Sequence, residues 1–388
     1  MIPQSQYICS ECGKRYEILP EIMLCPDCSK KQQPNEPLRG ILEVEYSPLP
    51  GLRPGDYLPV EPRFFPQLPV GNTPLWKTAI SGTHRELYIK DDSRNLSASF
   101  KDRASLLVAA FAIRHGISEV AVASTGNAGS SMAAIAAASG LKSTIFLPEK
   151  APRAKMIQAL QYGARLITVD GNYDKAFDLS LEYSDKYGVL SRNTAYNPLT
   201  IEGKKSAAIE LFQQMESLPD YIFVPCGDGV ILGGMYKGFR DLLRYGFTER
   251  IPLLVAVQAE GSAAIFNALR DGKFHPVRSH TLADSIAVDV PRGGYYALQQ
   301  LQRYGGRAIT VTDTAILIAQ KKLSGATGLF AEPAAAAVYA GYEKIRAELP
   351  ENARIVLLIT GSGLKDIDSA VKELKFPKKA LSKIGELA

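Results

Sequence analysis

From residue 86 onward the chain alternates short apolar runs with amphipathic stretches, with glycine-rich or polar turns between them. The runs ELYIK (86–90), EVAVAS (119–124), STIFLP (143–148), RLITVD (165–170), YIFVP (221–225), LLVAVQ (253–258), AITVT (308–312) and IVLLIT (355–360) predict strands. The stretches at 105–116, 128–140, 152–163 and 202–215 predict helices, several closed by a glycine suited to a left-handed cap. Strand and helix in alternation predict parallel sheets built from β-α-β units, an α/β fold class. In such folds ligands gather at the carboxyl ends of strands, where loops lead into helix N-termini. Before residue 86 the pattern changes. Residues 30–40 (KKQQPNEPLRG) form a polar connector, and residues 48–74, rich in proline, predict an extended arm.

Length and composition narrow this picture. At 388 residues the chain exceeds one typical core, so two lobes around a cleft with a small appendage are expected. Hydrophobic residues at 46% and charged residues at 22% describe an ordinary globular protein. The net charge of +5 is dispersed, which argues against a nucleic-acid surface and suits small anions. The N-terminus has no apolar core of signal-peptide length and no apolar run reaches a membrane span, so a cytoplasmic protein with no membrane partner is expected.

Four of the five cysteines make two C-x-x-C knuckles, Cys9/Cys12 and Cys25/Cys28, a dozen residues apart. That spacing predicts a zinc ribbon over residues 1–36, and four thiolates leave no ligand position for water, so the zinc is structural. A pair of disulfides is the competing reading.

Four segments at strand-to-helix junctions carry candidate chemistry. The first, 92–103, places Lys101 at a helix start; a Schiff-base lysine must be neutral part of the time, whereas a solvated surface charge is the plain alternative. The second, 123–129 (ASTGNAG), offers amides to a carboxylate, or only a turn capped by Thr125 or Asn127. In the third, 225–234, Gly227, Gly229, Gly233 and Gly234 form a loop suited to phosphate, without the lysine of a nucleoside-triphosphate loop; Cys226 in it is a packing residue. The fourth, 358–366, puts Thr360 and Ser362 at the end of a strand, for a ring nitrogen or for ordinary turn chemistry.

Together these segments, in this order, resemble the second fold type of pyridoxal-phosphate (PLP) enzymes, the tryptophan-synthase β-like group. Within it the nearest likeness is to the threonine synthase family, carried by GNTPL (71–75), SFKDR (99–103), STGN (124–127), EPAAA (332–336) and TGSGLKD (360–366). The resemblance implies two open parallel-sheet α/β domains around a central cleft: a large PLP-binding domain from 37–104 and 198–376, and a small mobile domain from 105–197. It implies Lys101 as the catalytic lysine that carries the cofactor. By the same resemblance Asn127, Gly227, Asp228, Gly229, Val230, Ile231, Leu232 and Thr360 would complete the cofactor site. Ser124, Thr125, Gly126, Asn127, Ala128 and Lys204 are the expected substrate-binding residues. The implied reaction takes O-phosphohomoserine and water to threonine and phosphate, with a homodimer as an allowed assembly.

The sequence departs from the family at Thr200, where an arginine usually binds the substrate phosphate, at Ala128, where a hydroxyl residue is frequent, and at Asp228, where asparagine is usual. Lys204, Lys205 and Arg153 are alternative anion partners, each also readable as a surface charge. A serine or threonine ammonia-lyase, or a β-replacement enzyme of the cysteate-synthase kind, is the alternative with the same cofactor. A zinc-ribbon binding protein without chemistry is the alternative from another class.

Overall fold

The computed structural model describes residues 3–49, 51–80, 86–149, 153–276 and 278–371. Thirteen strands appear in it: β1 Ser5–Cys9, β2 Arg15–Tyr16, β3 Leu42–Tyr46, β4 Leu75–Thr78, β5 Glu86–Asp91, β6 Glu119–Ala123, β7 Lys142–Pro148, β8 Arg165–Val169, β9 Leu190–Ser191, β10 Tyr221–Pro225, β11 Leu253–Ala259, β12 Arg307–Val311 and β13 Arg354–Ile359. All eight strands expected from the apolar runs form. The other five are short or lie in the polar N-terminal part, where alternation is weak.

They make three sheets. The largest has the order β12-β11-β10-β13-β5-β4 and is parallel except for the antiparallel β4 at its edge. A strand buried on both faces sends alternate side chains to opposite cores. Phe223 meets Val338 and Tyr342 on one side, while Ile222 and Val224 meet Leu232, Met235 and Phe239 on the other. The second sheet, β8-β7-β6-β9, is parallel throughout and comes from residues 119–191. The third, β2-β1-β3, is antiparallel and runs beyond residue 36 to Tyr46. The end at 376 expected for the large lobe lies outside the described residues.

Strand order positions the site. In the large sheet the chain runs β10, β11, β12 to one side while β13 and β5 lie on the other, so the loops after β10 and β13 part from each other. In the second sheet β7 and β8 lie on one side of β6 and β9 on the other. Each divergence opens a crevice at the carboxyl edge.

The helix expected over 202–215 is two helices, Leu199–Lys204 and Ser206–Gln214, and Lys204 and Lys205 at their junction are buried rather than surface charges. Among the described residues, no helix is long and apolar enough to cross a membrane.

Candidate active site

A cavity of about 390 Å³ lies between the two parallel sheets. Its wall takes Ser124–Ala128 from the end of β6, Cys226–Gly229 from the end of β10, Thr360 from the end of β13, and Lys101. The three loops follow strands, as the switch-point argument requires.

Lys101 is fixed by its neighbours in the chain. It is the N-cap of the helix Asp102–Arg114. The Asp102 carboxylate accepts from the Ser97 N–H at 2.6 Å and the Ser97 hydroxyl at 2.5 Å. The Arg103 guanidinium donates to Asp92 at 2.6 and 2.9 Å and to Glu210 at 2.5 and 2.8 Å. Asp102 and Arg103 are therefore a buried clamp rather than solvated charges. The Lys101 amine, half-buried in the cavity wall, has no hydrogen bond or ion pair with a described residue, and burial lowers its pKa.

The glycine-rich loop divides in two. A Cβ at Gly227 would stand 2.9 Å from the Ile286 Cα, and Gly229 has φ +85° with the Ala297 Cβ 2.8 Å from where its own would be, so both turns require glycine. The helix begins at Val230, so Gly233 and Gly234 lie inside it. The Gly233 N–H already donates to the Gly229 carbonyl at 2.9 Å, and Gly233 and Gly234 admit Tyr296 and Lys204. They are packing residues, a correction to the loop read from sequence.

The amides of Ile231 and Leu232, in the first turn of that helix, have no intrahelical acceptor and no described partner. The Val230 N–H is different, since it donates to the Asp228 carboxylate at 3.0 Å. Asp228 thus turns back on its own loop and removes one amide from the cradle. Unpartnered amides behind an obligatory glycine turn, beginning at Ile231 in the wall of a cavity that also holds a free lysine amine, fit the phosphate and aldehyde of PLP.

At the second loop Gly126 is the N-cap of the helix Asn127–Ala138 and no side chain caps it. The amides of its first turn are open to an anion. The Asn127 amide group donates to both Glu332 oxygens at 3.1 and 2.9 Å and to the Ser285 hydroxyl at 3.1 Å. Glu332 is 3% exposed and lines the cavity. Sequence reading gave Glu332 no role, although its motif was visible. Arg192 was missed altogether: it is fully buried and donates to the Ser105 and Thr194 hydroxyls and the Lys101 carbonyl at 3.2, 3.1 and 3.4 Å. Its burial brings its pKa down to about 10.

Lys204 does not join the cavity wall. It is 1% exposed, and its amine donates to the Thr200 carbonyl at 3.0 Å. Thr200, where an arginine was looked for, has its hydroxyl held by the Asn197 carbonyl at 2.7 Å and the Ala195 N–H at 3.2 Å. Lys205 joins a buried network with Asp241, Glu202 and Tyr46. The side chain of Arg153 lies outside the described residues. Val230 and Leu232 have side chains in the core, so only their backbone could serve a ligand. Burial, with Asp228 nearby, pushes the Cys226 thiol up to about 12, consistent with a packing residue.

At the N-terminus the sulfurs of Cys9, Cys12, Cys25 and Cys28 lie within 4.8 Å of one another, and none is in a disulfide. The paired-disulfide reading is set aside, and the cluster has the chemistry of a zinc site.

Comparison with known proteins agrees. Residues 66–361 match the family model described as pyridoxal-phosphate dependent enzyme. The threonine synthase of Methanocaldococcus jannaschii is 33% identical over 96% of this chain and 95% of its own length. That of Synechocystis is 35% identical over 86% of this chain and 85% of its own. Among solved structures, a threonine deaminase from T.th. superposes with a TM-score of 0.65 at 23% identity, covering 75% of this chain and 92% of that one. Maize serine racemase gives 0.67 at 21% identity, covering 78% and 91%, and these two bear on the fold alone. With two parallel sheets meeting over a free lysine, the chain belongs to the pyridoxal-phosphate dependent enzyme family, as a lyase of its second fold type.

Proposed function

We propose that the protein converts O-phosphohomoserine and water into threonine and inorganic phosphate. The observation that carries this reading is the free, burial-depressed amine of Lys101 between two sets of open helix amides, in a chain similar over nearly its whole length to a named threonine synthase.

PLP, when bound, supplies the electron sink that allows protons to leave the α and β carbons of an amino acid. Lys101 holds it covalently, a role that needs the neutral amine that burial favours. The amides of Ile231 and Leu232 would hold its phosphate, and the neutral hydroxyl of Thr360 would serve its ring nitrogen. Asn127, held by Glu332 and Ser285, would serve its ring hydroxyl. Ser124, Thr125, Gly126 and the amides of Asn127 and Ala128 take the substrate carboxylate. Lys101 Nζ, freed when the substrate amine takes its place, would take the protons from the α and β carbons; phosphate would leave the γ carbon, which would gain a proton and become the methyl group, and water would add at the β carbon as the α carbon regains its proton. The lobe of residues 105–197 closes over the substrate. The four cysteines hold a structural zinc ion.

Thr200 favours a second reading. Its side chain is neutral and its hydroxyl is engaged locally, so Thr200 itself offers no charge where the family's arginine binds phosphate, and a β-replacement or ammonia-lyase reaction on another small amino acid needs none there. Incubating the PLP-loaded protein with O-phosphohomoserine and measuring phosphate and threonine together decides between them. Equal release of both is expected, and release of neither selects the second reading.

A further inference from the structure

Charge on the cavity wall is lopsided. Asp174, Asp228, Asp284, Asp289 and Glu332 all line it, yet among the described residues only Lys101 and Arg292 bring a positive side chain to it. Thr200, Lys204 and Lys205 all face other partners, so among the described residues Arg292 is, besides Lys101, the cationic side chain placed to meet a distal anion of the substrate.

Arg292 lies just before the helix Gly294–Arg303, which packs with the large sheet. Its guanidinium reaches across the cleft to Asp174, on the helix Tyr173–Tyr187 that packs against the second sheet. The guanidinium carbon sits 4.7 Å from the centre of the Phe177 ring, which fixes the plane of the fork. Only Nη2 meets Asp174, and Nε is buried with no acceptor. The Arg292 carbonyl accepts from the Leu38 N–H at 3.0 Å, so the segment after the ribbon also restrains it.

A guanidinium offers five N–H groups in a rigid fork suited to two oxygens of one phosphate. Here one arm of that fork is held by a carboxylate whose side chain is 39% exposed, and the neighbouring Nε is buried without an acceptor among the described residues. A carboxylate so open to water holds its partner weakly, and a phosphate dianion able to fill both arms displaces it.

We propose that Arg292 binds the distal phosphate of the substrate, and that Asp174 is its resting partner, released when the phosphate arrives. The inference rests on the proposed function, since it assumes an amino acid with a phosphate ester at its far end. It supplies the specificity contact that Thr200 does not.

The test uses the PLP-loaded protein, titrated with O-phosphohomoserine and with L-homoserine while the cofactor absorbance reports binding, alongside steady-state turnover. Arg292→Leu is expected to weaken O-phosphohomoserine binding by about 30-fold or more, as truncating one half of a buried charge pair does. The preference for the phosphorylated over the unphosphorylated ligand falls at least about tenfold. Arg292→Lys, which keeps the charge and loses the fork, falls between. Asp174→Asn separates this role from a structural one: an ion pair that only holds the lobes together makes it as harmful as Arg292→Leu, whereas release of Arg292 makes it bind phosphorylated substrate more tightly than wild type. A preference unchanged in Arg292→Leu, or Asp174→Asn as damaged as Arg292→Leu, overturns the inference. A wild-type protein that shows no preference for the phosphorylated ligand overturns the proposed function and this inference together.

Discussion

Lys101 and Arg103 stand two residues apart at the start of one helix, and their surroundings are built to opposite ends. The Arg103 fork is filled: Asp92 and Glu210 take it in two bidentate pairs, Thr73 and Ser206 add their hydroxyls, and Lys90 completes the set on Glu210 at 2.7 Å. Burial alone would raise the Glu210 carboxyl, but Arg103 and Lys90 overcome it and hold it at about 2. Around Lys101 the buried Arg192 and Lys204 have, among the described residues, only neutral acceptors within hydrogen-bond reach. Compensated charge fixes the backbone on one side of the helix start, and charge without a close counterion surrounds the open amine on the other. The clamp is what lets the open side remain open, because a lysine without a partner stays in place only if its backbone is held by something else.

Breaking the open side costs chemistry. Lys101→Ala is expected to lower turnover by about three orders of magnitude or more, since no other described amine reaches the cavity from that wall. The fold remains, because the lysine makes no hydrogen bond or ion pair there. Circular dichroism and the melting temperature, measured beside phosphate release, check both halves; loss of soluble protein contradicts the comparison.

Breaking the closed side costs structure. Arg103→Met leaves Asp92 and Glu210 buried with too little positive charge, and the loss of stability is expected to be about 3–5 kcal/mol. Urea unfolding of the cofactor-free protein measures it. A loss below about 1 kcal/mol would mean that the clamp is ornamental.

The comparison also shows what the sequence made legible. Apolar periodicity was enough for the parallel sheets, because strands buried on both faces are written as unbroken apolar runs: β10, β11 and β13 could be read directly. The cavity loops could be read for a related reason, since amides that bind anions need glycine or small residues at fixed places after a strand. Single side chains arriving from distant segments could not. Arg292 follows a proline in a loop, Arg192 lies in a polar run, and what each does depends on contacts to Asp174 or Lys101 roughly a hundred positions away. Burial of Lys204 was hidden as well, because a lysine pair in a helix is written in the same way whether water or Gly234 lies beside it.

A smaller effect is expected at the ribbon. Its third strand is joined to the body by another closed network, in which Tyr46 donates to Glu202, Glu43 meets Arg240 at 2.8 Å, and Lys205 and Lys237 share Asp241. None of these contacts needs a metal. Changing Cys9 and Cys12 to Ser is expected to remove zinc, read by metal analysis, and to lower turnover by less than about threefold. Retention of one zinc per chain by the double variant contradicts the ribbon assignment, and a much larger fall in turnover would mean that the network depends on the metal.

The smallest change is expected at Lys204, and pH gives it a sign. Burial, and then repulsion from Arg192, hold its pKa well below the ordinary lysine value. Between that lowered value and about 10.5, the unfolded chain binds a proton that the folded chain does not, so this residue makes wild-type stability rise with pH across that window. Below the folded pKa both states carry the proton, and the fold bears the whole cost of a buried charge. Lys204→Met keeps the volume and has no proton to bind. Its stability relative to wild type is therefore expected to be greatest at the acid end of the window and to shrink as pH approaches about 10.5. At neutral pH the variant is expected to match wild type or exceed it by up to about 2 kcal/mol, as replacements of buried charge by apolar groups often do. Paired urea titrations at several pH values read the difference directly. A variant that loses several kcal/mol at neutral pH, or whose relative stability grows with pH, would place Lys204 with Arg103 among the compensated charges and erase the contrast between the two sides of the helix.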